Sequence, residues 1–100
     1  MVFDEVLHLH NGADIPKLGL GTWFIDDDKA AEAVIAAAKI GYRHIDTAQA
    51  YGNERGVGEG VRNCGLDRKD IFVTSKVAAE HKSYDSAMAS IEKTLQIMGL

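Results

Sequence analysis

Two rhythms of apolar residues alternate along the chain, one of period two and one of helical period. Leu7 to His10 alternates apolar with polar, Asn11-Gly12 follows, and Ala13 to Lys17 makes a return arm. This pattern predicts a β-hairpin over residues 1–17, with Asn11-Gly12 supplying the positive φ angles of a tight two-residue turn. Pro16 has no N–H to give a ladder, which limits the second arm to an edge. Leu18 to Trp23 is a short, nearly continuous apolar run and predicts a strand covered on both faces. Asp26, Asp27 and Asp28 then offer an N-cap and a negative first turn to a helix over Lys29–Ile40, with Gly41 as its stop.

The same unit recurs. Tyr42–Thr47 reads as a second strand, Asn53 as the cap of a helix from Glu54 to about Cys64, and Gly65 as its end. Ile71–Lys76 reads as a third strand. Ser83 then caps a helix whose apolar stripe, Tyr84, Met88, Ile91, Leu95 and Met98, falls at helical spacing and predicts a core face, both methionines included. Strands separated by helices should be parallel with right-handed crossovers, giving βα units over 18–41, 42–65 and 71–100. Such units belong either to a barrel, which takes about 250 residues, or to a doubly wound sheet. In both cases the outer strands would be bare edges, and the chain reads as part of a larger α/β domain.

Composition narrows the function. With 46% hydrophobic and 26% charged residues in 100, the chain is globular, and its net charge of −4 gives no broad attraction to nucleic acid or anionic lipid. The start lacks a basic region followed by an apolar run, and no stretch approaches the roughly 20 apolar residues of a membrane span. A cytoplasmic protein with neither nucleic-acid nor membrane partners is expected. Cys64, the one cysteine, excludes an intramolecular disulfide and reads as a small core residue on a helix. Four scattered histidines form no i, i+4 pair, so no metal is expected.

Gly19-Leu20-Gly21 invites a dinucleotide-binding reading, but the third glycine of G-x-G-x-x-G would fall at Phe24. Gly56, Gly58 and Gly60 lie inside a helix and read as close packing against its neighbours, at some cost to helix propensity. The informative run is Gly41 to Glu54, GYRHIDTAQAYGNE. It resembles, almost residue for residue, the aldo-keto reductase pattern G-x-R-x-x-D-T-A-x-x-Y-x-N-E. The hairpin, the segment Leu18 to Trp23 and the segment Ile71 to Lys76 are similar to that family in order and spacing as well.

The resemblance implies a (β/α)8 TIM barrel, of which residues 1–100 are the N-terminal portion: the hairpin and three βα units of a single domain. It implies NADPH across the C-terminal mouth and reduction of aldehydes or ketones to alcohols. Tyr51 would be the proton donor, Lys76 the cation that favours its phenolate, and Asp46 the partner of Lys76. Gly21, Thr22, Trp23 and Asp46 would run beside the cofactor, with Trp23 and Tyr51 lining the substrate pocket.

The residue types suit that chemistry. Hydride addition leaves an alkoxide that must be protonated, and a phenol donates as charge develops on oxygen. A cation at about 4 Å favours a phenolate by about 4 kcal/mol at an effective dielectric near 20. Asp46 at the end of the second strand, Tyr51 in the loop after it and Lys76 at the end of the third should gather on the face where barrel enzymes work.

Some elements of the family pattern differ or lie elsewhere. Val77-Ala78 stands where many relatives have Leu-Trp after the lysine, removing a bulky pocket wall. A catalytic histidine on the fourth strand, and the segments that grip the nicotinamide amide and the 2′-phosphate, would fall beyond Leu100. His81, before the third helix, reads as a surface residue, and His44 as a buried, hydrogen-bonded structural one. The 100 residues by themselves are expected to be inactive and to self-associate or be only marginally folded, whereas the complete protein is expected to be a monomer. The rival readings are an NADPH-binding regulatory barrel with little turnover and a fragment without function of its own.

Overall fold

The computed structural model describes residues 1–100. Its hairpin pairs β1 (Val6–His8) antiparallel with β2 (Asp14–Pro16), Leu7 opposite Ile15. The turn is not the expected two-residue one. Leu9 N donates to Ala13 O at 2.8 Å and Gly12 N to Leu9 O at 3.0 Å, so His10 to Gly12 form a three-residue loop. Within it only Gly12 takes a positive φ, +88°. Asn11 contributes through its side chain instead, accepting from Ala13 N at 3.0 Å, and that local bond favours the longer loop closed by a left-handed glycine.

Three parallel strands follow, β3 (Leu20–Gly21), β4 (His44–Asp46) and β5 (Phe72–Thr74), in the order β3-β4-β5. Each is shorter than its apolar run, although bonding continues past the strand ends: Thr22 N donates to Asp46 O and Thr47 N to Thr74 O. Leu20, Ile45 and Val73 stand in one register, and since side chains alternate they share the face turned to the helices. His44, Asp46, Phe72 and Thr74 share the other. That second face is covered in part, at His44 by Pro16 and Gly19, and it opens beyond them: Gly21 is exposed and Trp23 is 66% exposed, so within these residues Leu18–Trp23 is not shielded on both sides as expected.

The helices are α1 (Asp27–Ile40), α2 (Glu54–Asn63) and α3 (Tyr84–Met98). Gly41 stops α1 at φ +131°, and the Ser83 hydroxyl caps α3 by accepting from Ser86 N. The core lies between sheet and helices and centres on Ala30, Val34, Ile45, Val57 and Val61, with Met98 entering from α3. Full burial of each such aliphatic side chain stabilises by about 1.5–3 kcal/mol.

The three glycines of α2 pack as the sequence predicts. A Cβ on Gly56 would lie 2.2 Å from Asp27 O, one on Gly60 2.7 Å from Val34 Cβ, and one on Gly58 2.2 Å from Met98 O. Helix α2 is therefore pressed between the backbones of α1 and α3.

The face that α3 turns inward differs from expectation. Met98 is buried, but Met88, Ile91 and Leu95 are exposed and Tyr84 is 78% exposed. The buried side is Ser90, Thr94 and Met98, at i, i+4 and i+8. Ser90 and Thr94 turn inward because Gln49 and Glu54 offer them hydrogen-bond partners, and the backbone of Met98 approaches closely because Gly58 has no side chain. From the apolar stripe, Ile91, Leu95 and Met98 line, with Val73 and Val77, an open groove of about 310 Å³.

Candidate active site

The site is built where β4 and β5 end. Asp46 is the last residue of β4, and the chain then turns through a short 3-10 segment, Gln49–Tyr51, before α2. Lys76 follows β5 by two residues, carried alongside that turn by Thr47 N→Thr74 O (2.8 Å) and Gln49 N→Lys76 O (3.1 Å). Parallel pairing thus brings Asp46 and Lys76 to the same end of the sheet.

Lys76 Nζ donates to Asp46 Oδ1 and Oδ2, each at 2.8 Å, and to Thr47 O at 2.9 Å, with Tyr51 Oη at 3.4 Å. An ammonium has three protons for these four acceptors, and the phenol is the loosest partner. The Nζ also lies 5.1 Å from the centroid of the Tyr51 ring. Desolvation works against the Lys76 charge, but the hydrogen bonds with Asp46 and Tyr51 and their attraction outweigh it, so the ammonium is held above its ordinary range. About half of the Lys76 side chain is open to solvent, which screens its field at Tyr51 until water is excluded.

The remaining motif residues support this cluster. Arg43 Nη1 donates to Ala38 O (3.0 Å) and Tyr42 O (2.8 Å), tying the end of α1 to the start of β4. Asn53 occupies the N-cap position of α2, yet its side chain makes no cap bond. It is fully buried, accepts from Thr47 Oγ1 at 2.7 Å, and donates to Thr22 O at 2.8 Å and Ile25 O at 3.0 Å. The expected cap is thus a strut under the loop after β3. Glu54, also buried, accepts from Ser75 Oγ at 2.7 Å and Thr94 Oγ1 at 3.3 Å. Neither role was visible in the sequence, since both depend on partners more than twenty residues away.

That loop carries the other candidate residues. Gly21 pairs with Asp46 in register, and a Cβ on Gly21 would meet nothing within 4 Å. Thr22 is turned inward, its hydroxyl donating to Asp46 O at 2.9 Å. Trp23 stacks on Phe24 with ring centroids 4.3 Å apart. Phe24, 84% exposed, takes φ +68° as the third residue of the Thr22–Ile25 turn, a position that favours glycine or asparagine. Asn53, by holding both ends of that turn, keeps this strained residue in place.

Among the histidines, His44 is half-buried and bonded, Nε2 lying 2.8 Å from Thr74 Oγ1 and Nδ1 3.3 Å from Pro16 O. His81 is half-buried beside α3, with Nδ1 2.8 Å from Ser86 Oγ. Cys64 ends α2 half-buried, packed against the core with its thiol directed at Val61 O. No three His, Cys, Asp or Glu side chains gather in metal-binding geometry, and no helix is long and apolar enough to cross a membrane.

Comparison with known proteins is consistent across sequence and structure. The profile of the aldo/keto reductase family matches residues 17–100. The glyoxal reductase of Bacillus subtilis is 43% identical over 97 residues, covering 96% of this chain and 35% of that protein. A crystal structure of an aldo/keto reductase from Brucella melitensis superposes with a TM-score of 0.91 at 43% identity, covering 95% of this chain and 36% of that one. The Bombyx mori aldo-keto reductase in complex with NADP superposes at 0.87 and 32% identity, covering 96% and 34%. These structures are (β/α)8 barrels, and the present chain is a partial α/β portion of that fold. It spans 28–35% of the length of the curated relatives it matches.

Proposed function

The chain belongs to the aldo/keto reductase family, and from that membership we propose that it forms the N-terminal βα units of one barrel domain whose complete form reduces aldehydes and ketones to alcohols with NADPH. The observation that carries the reading is one ammonium, Lys76 Nζ, shared between the Asp46 carboxylate and the Tyr51 hydroxyl.

The residues of this chain fit a nicotinamide cofactor in part. Gly21 leaves open space beside Asp46, and Trp23 with Phe24 presents an exposed flat surface. Thr22 is fully buried, with its hydroxyl and main-chain N–H both donating to Asp46 O and its carbonyl accepting from Asn53 and Ile25, so its contribution would be to shape the loop that presents Gly21 and Trp23. Gly21, Trp23 and Asp46 are the side of the mouth that would hold the cofactor, with Trp23 and Tyr51 as walls for the carbonyl substrate.

What a bound NADPH supplies is the hydride to the carbonyl carbon. Tyr51 Oη gives its proton to the carbonyl oxygen as negative charge builds there, so hydride and proton together complete the alcohol. Lys76 stabilises the phenolate left behind until solvent reprotonates it. Asp46 keeps the ammonium charged and aimed, and Thr47 O limits its swing. With Val77 and Ala78 small after Lys76, the pocket on that side is open to bulky carbonyl compounds.

The test is NADPH consumption by the complete protein against a panel of aldehydes and ketones. Consumption that is saturable in the carbonyl compound is the expected result. Tight NADPH binding without consumption of any carbonyl compound would instead favour a regulatory, cofactor-binding barrel.

A further inference from the structure

We propose that Gln49 is a positioning residue that sets the distance between Lys76 and Tyr51 by clamping the chain on the far side of Lys76; the inference rests on the proposed role of that pair. Gln49 begins the 3-10 turn that ends in Tyr51. Its main-chain N–H donates to Lys76 O at 3.1 Å. Its side-chain Oε1 accepts from Ala78 N at 2.8 Å. One residue therefore grips both ends of the segment Lys76–Ala78.

The side chain does work that a regular strand would leave to the backbone. In a parallel ladder the next rung after Gln49 N→Lys76 O would run from Ala78 N to Gln49 O. The chain has by then turned toward Tyr51, and Gln49 O faces Gly52 N at 3.5 Å. The carboxamide oxygen stands in for the missing acceptor, so pairing between the two loops extends one rung beyond what the turn permits.

The other end of the carboxamide is anchored. Nε2 donates to Ser90 Oγ at 3.1 Å and Thr94 Oγ1 at 3.2 Å on α3. Thr94 Oγ1 in turn donates to Glu54 Oε1 at 3.3 Å, and Glu54 Oε2 accepts from Ser75 Oγ at 2.7 Å. The network thus holds the residues on both sides of Lys76, Ser75 through Glu54 and Ala78 through Gln49. Three of the Lys76 Nζ contacts fix it to β4 and the residue after it, and the contact left to vary is the 3.4 Å approach of Tyr51 Oη. That approach depends on where the Gln49–Tyr51 turn sits against Lys76–Ala78, which is what the clamp sets. Only a side chain with one acceptor and two donors meets all of its partners. Glutamate keeps the acceptor, and leucine keeps neither.

The experiment uses the complete protein. Gln49→Leu is expected to lower kcat by about tenfold or more, since small misplacement of reacting groups is that costly, with the KM for carbonyl and the Kd for NADPH within about twofold and the pH profile of kcat displaced. Gln49→Glu, which retains the Ala78 N–H acceptor but loses the two donors to Ser90 and Thr94, is expected to recover part of the loss and to keep the Ala78 amide protected from exchange. In a Tyr51→Phe background Gln49→Leu should have little further effect, because both act on one unit. The proposal is overturned if Gln49→Leu keeps kcat within twofold, if its loss lies in KM, or if the losses with Tyr51→Phe multiply. Should Gln49→Leu not fold, Gln49→Glu decides: a tenfold fall in kcat with Ala78 still protected overturns the clamp, and retention of more than a third supports it. Failure of the underlying site reading is separate, because then Tyr51→Phe itself would retain activity.

Discussion

Lys76 Nζ stands 2.8 Å from each carboxylate oxygen of Asp46, thirty residues earlier in the chain, while Tyr51 Oη stands back at 3.4 Å. The ammonium is thus anchored to a strand and only approached by the phenol. The arrangement suits a group whose hydroxyl must remain free to face a substrate while feeling a fixed positive charge, and it gives the two partners different mutational signatures.

Tyr51→Phe in the complete protein removes one hydroxyl and preserves the ring. A positioned general acid contributes about 10²- to 10⁴-fold, so kcat and kcat/KM should fall together by at least about 10²-fold with NADPH binding nearly intact. Steady-state kinetics over a range of aldehyde concentrations check this. If more than about a tenth of the activity survives, when the general-acid contribution is at least about 10²-fold, Tyr51 is not the acid.

Lys76→Met should also lower kcat, but with the pH profile altered. Because the folded ammonium is held above its ordinary range, Lys76 stays charged throughout the neutral region, and its contribution is lost only as pH rises through that elevated value. The rate of the wild type should therefore be insensitive to lysine titration near neutrality. The Met variant should gain relative activity toward high pH in the oxidation direction, where a phenolate is required, and pH–rate profiles in that direction decide it.

Gly58→Ala sets two effects against each other. Alanine favours the helix by about 1 kcal/mol over glycine, but its Cβ would lie 2.2 Å from Met98 O and 2.4 Å from Met98 Cα, and overpacking against backbone costs about 1–3 kcal/mol. Net destabilisation is expected, read as a lower denaturation midpoint. Gly21→Ala meets nothing within 4 Å, so stability should change by less than about 0.5 kcal/mol while NADPH binding weakens; equal stability losses in the two variants would contradict both readings.

Asp27 links the starts of α1 and α2, accepting from Arg55 Nε and Gly56 N, each at 2.7 Å. The Arg55 bond chiefly, then the Gly56 bond and the Arg55 charge, hold its carboxyl below the usual range against a smaller desolvation effect. Its contribution to stability is then present above the unfolded carboxyl range and lost as pH falls through the depressed folded value. The stability gap between wild type and Asp27→Asn should be constant near neutrality and close below about pH 4, measured by denaturant titration across that window.

The 100 residues by themselves should self-associate. β3 and β5 are the outer strands of the sheet, and the Met88, Ile91 and Leu95 side of α3 is exposed, so unpaired backbone lies near uncovered apolar surface. Sedimentation that gives a monomer at all concentrations would contradict this.

Helix and strand order was legible because apolar periodicity and stop residues such as Gly41 and Gly65 act locally. The faces were less so. The apolar stripe of α3 predicts burial, but which side packs is decided by Gly58, which admits the Met98 backbone, and by Gln49 and Glu54, which bond Ser90 and Thr94, and a helical period cannot register its neighbours. The chemistry-bearing residues of the motif, Asp46 and Tyr51, stood out by type. Arg43, Asn53 and Glu54 have partners on other elements, at Ala38, Thr22 and Ser75, and spacing alone assigns Asn53 to a cap that it does not make.

Helix α2 carries three glycines in its ten residues, each costing about 1 kcal/mol against alanine, and a segment this short does not hold a helix in isolation. It becomes helical when α1 and α3 close on it. Its first residues, Asn53 and Glu54, reach the loop of Trp23 and the flank of Lys76, so the mouth acquires its shape in the same cooperative step. Trp23 is the one tryptophan of the chain, which makes its fluorescence an intrinsic gauge of helix docking on the opposite side of the sheet.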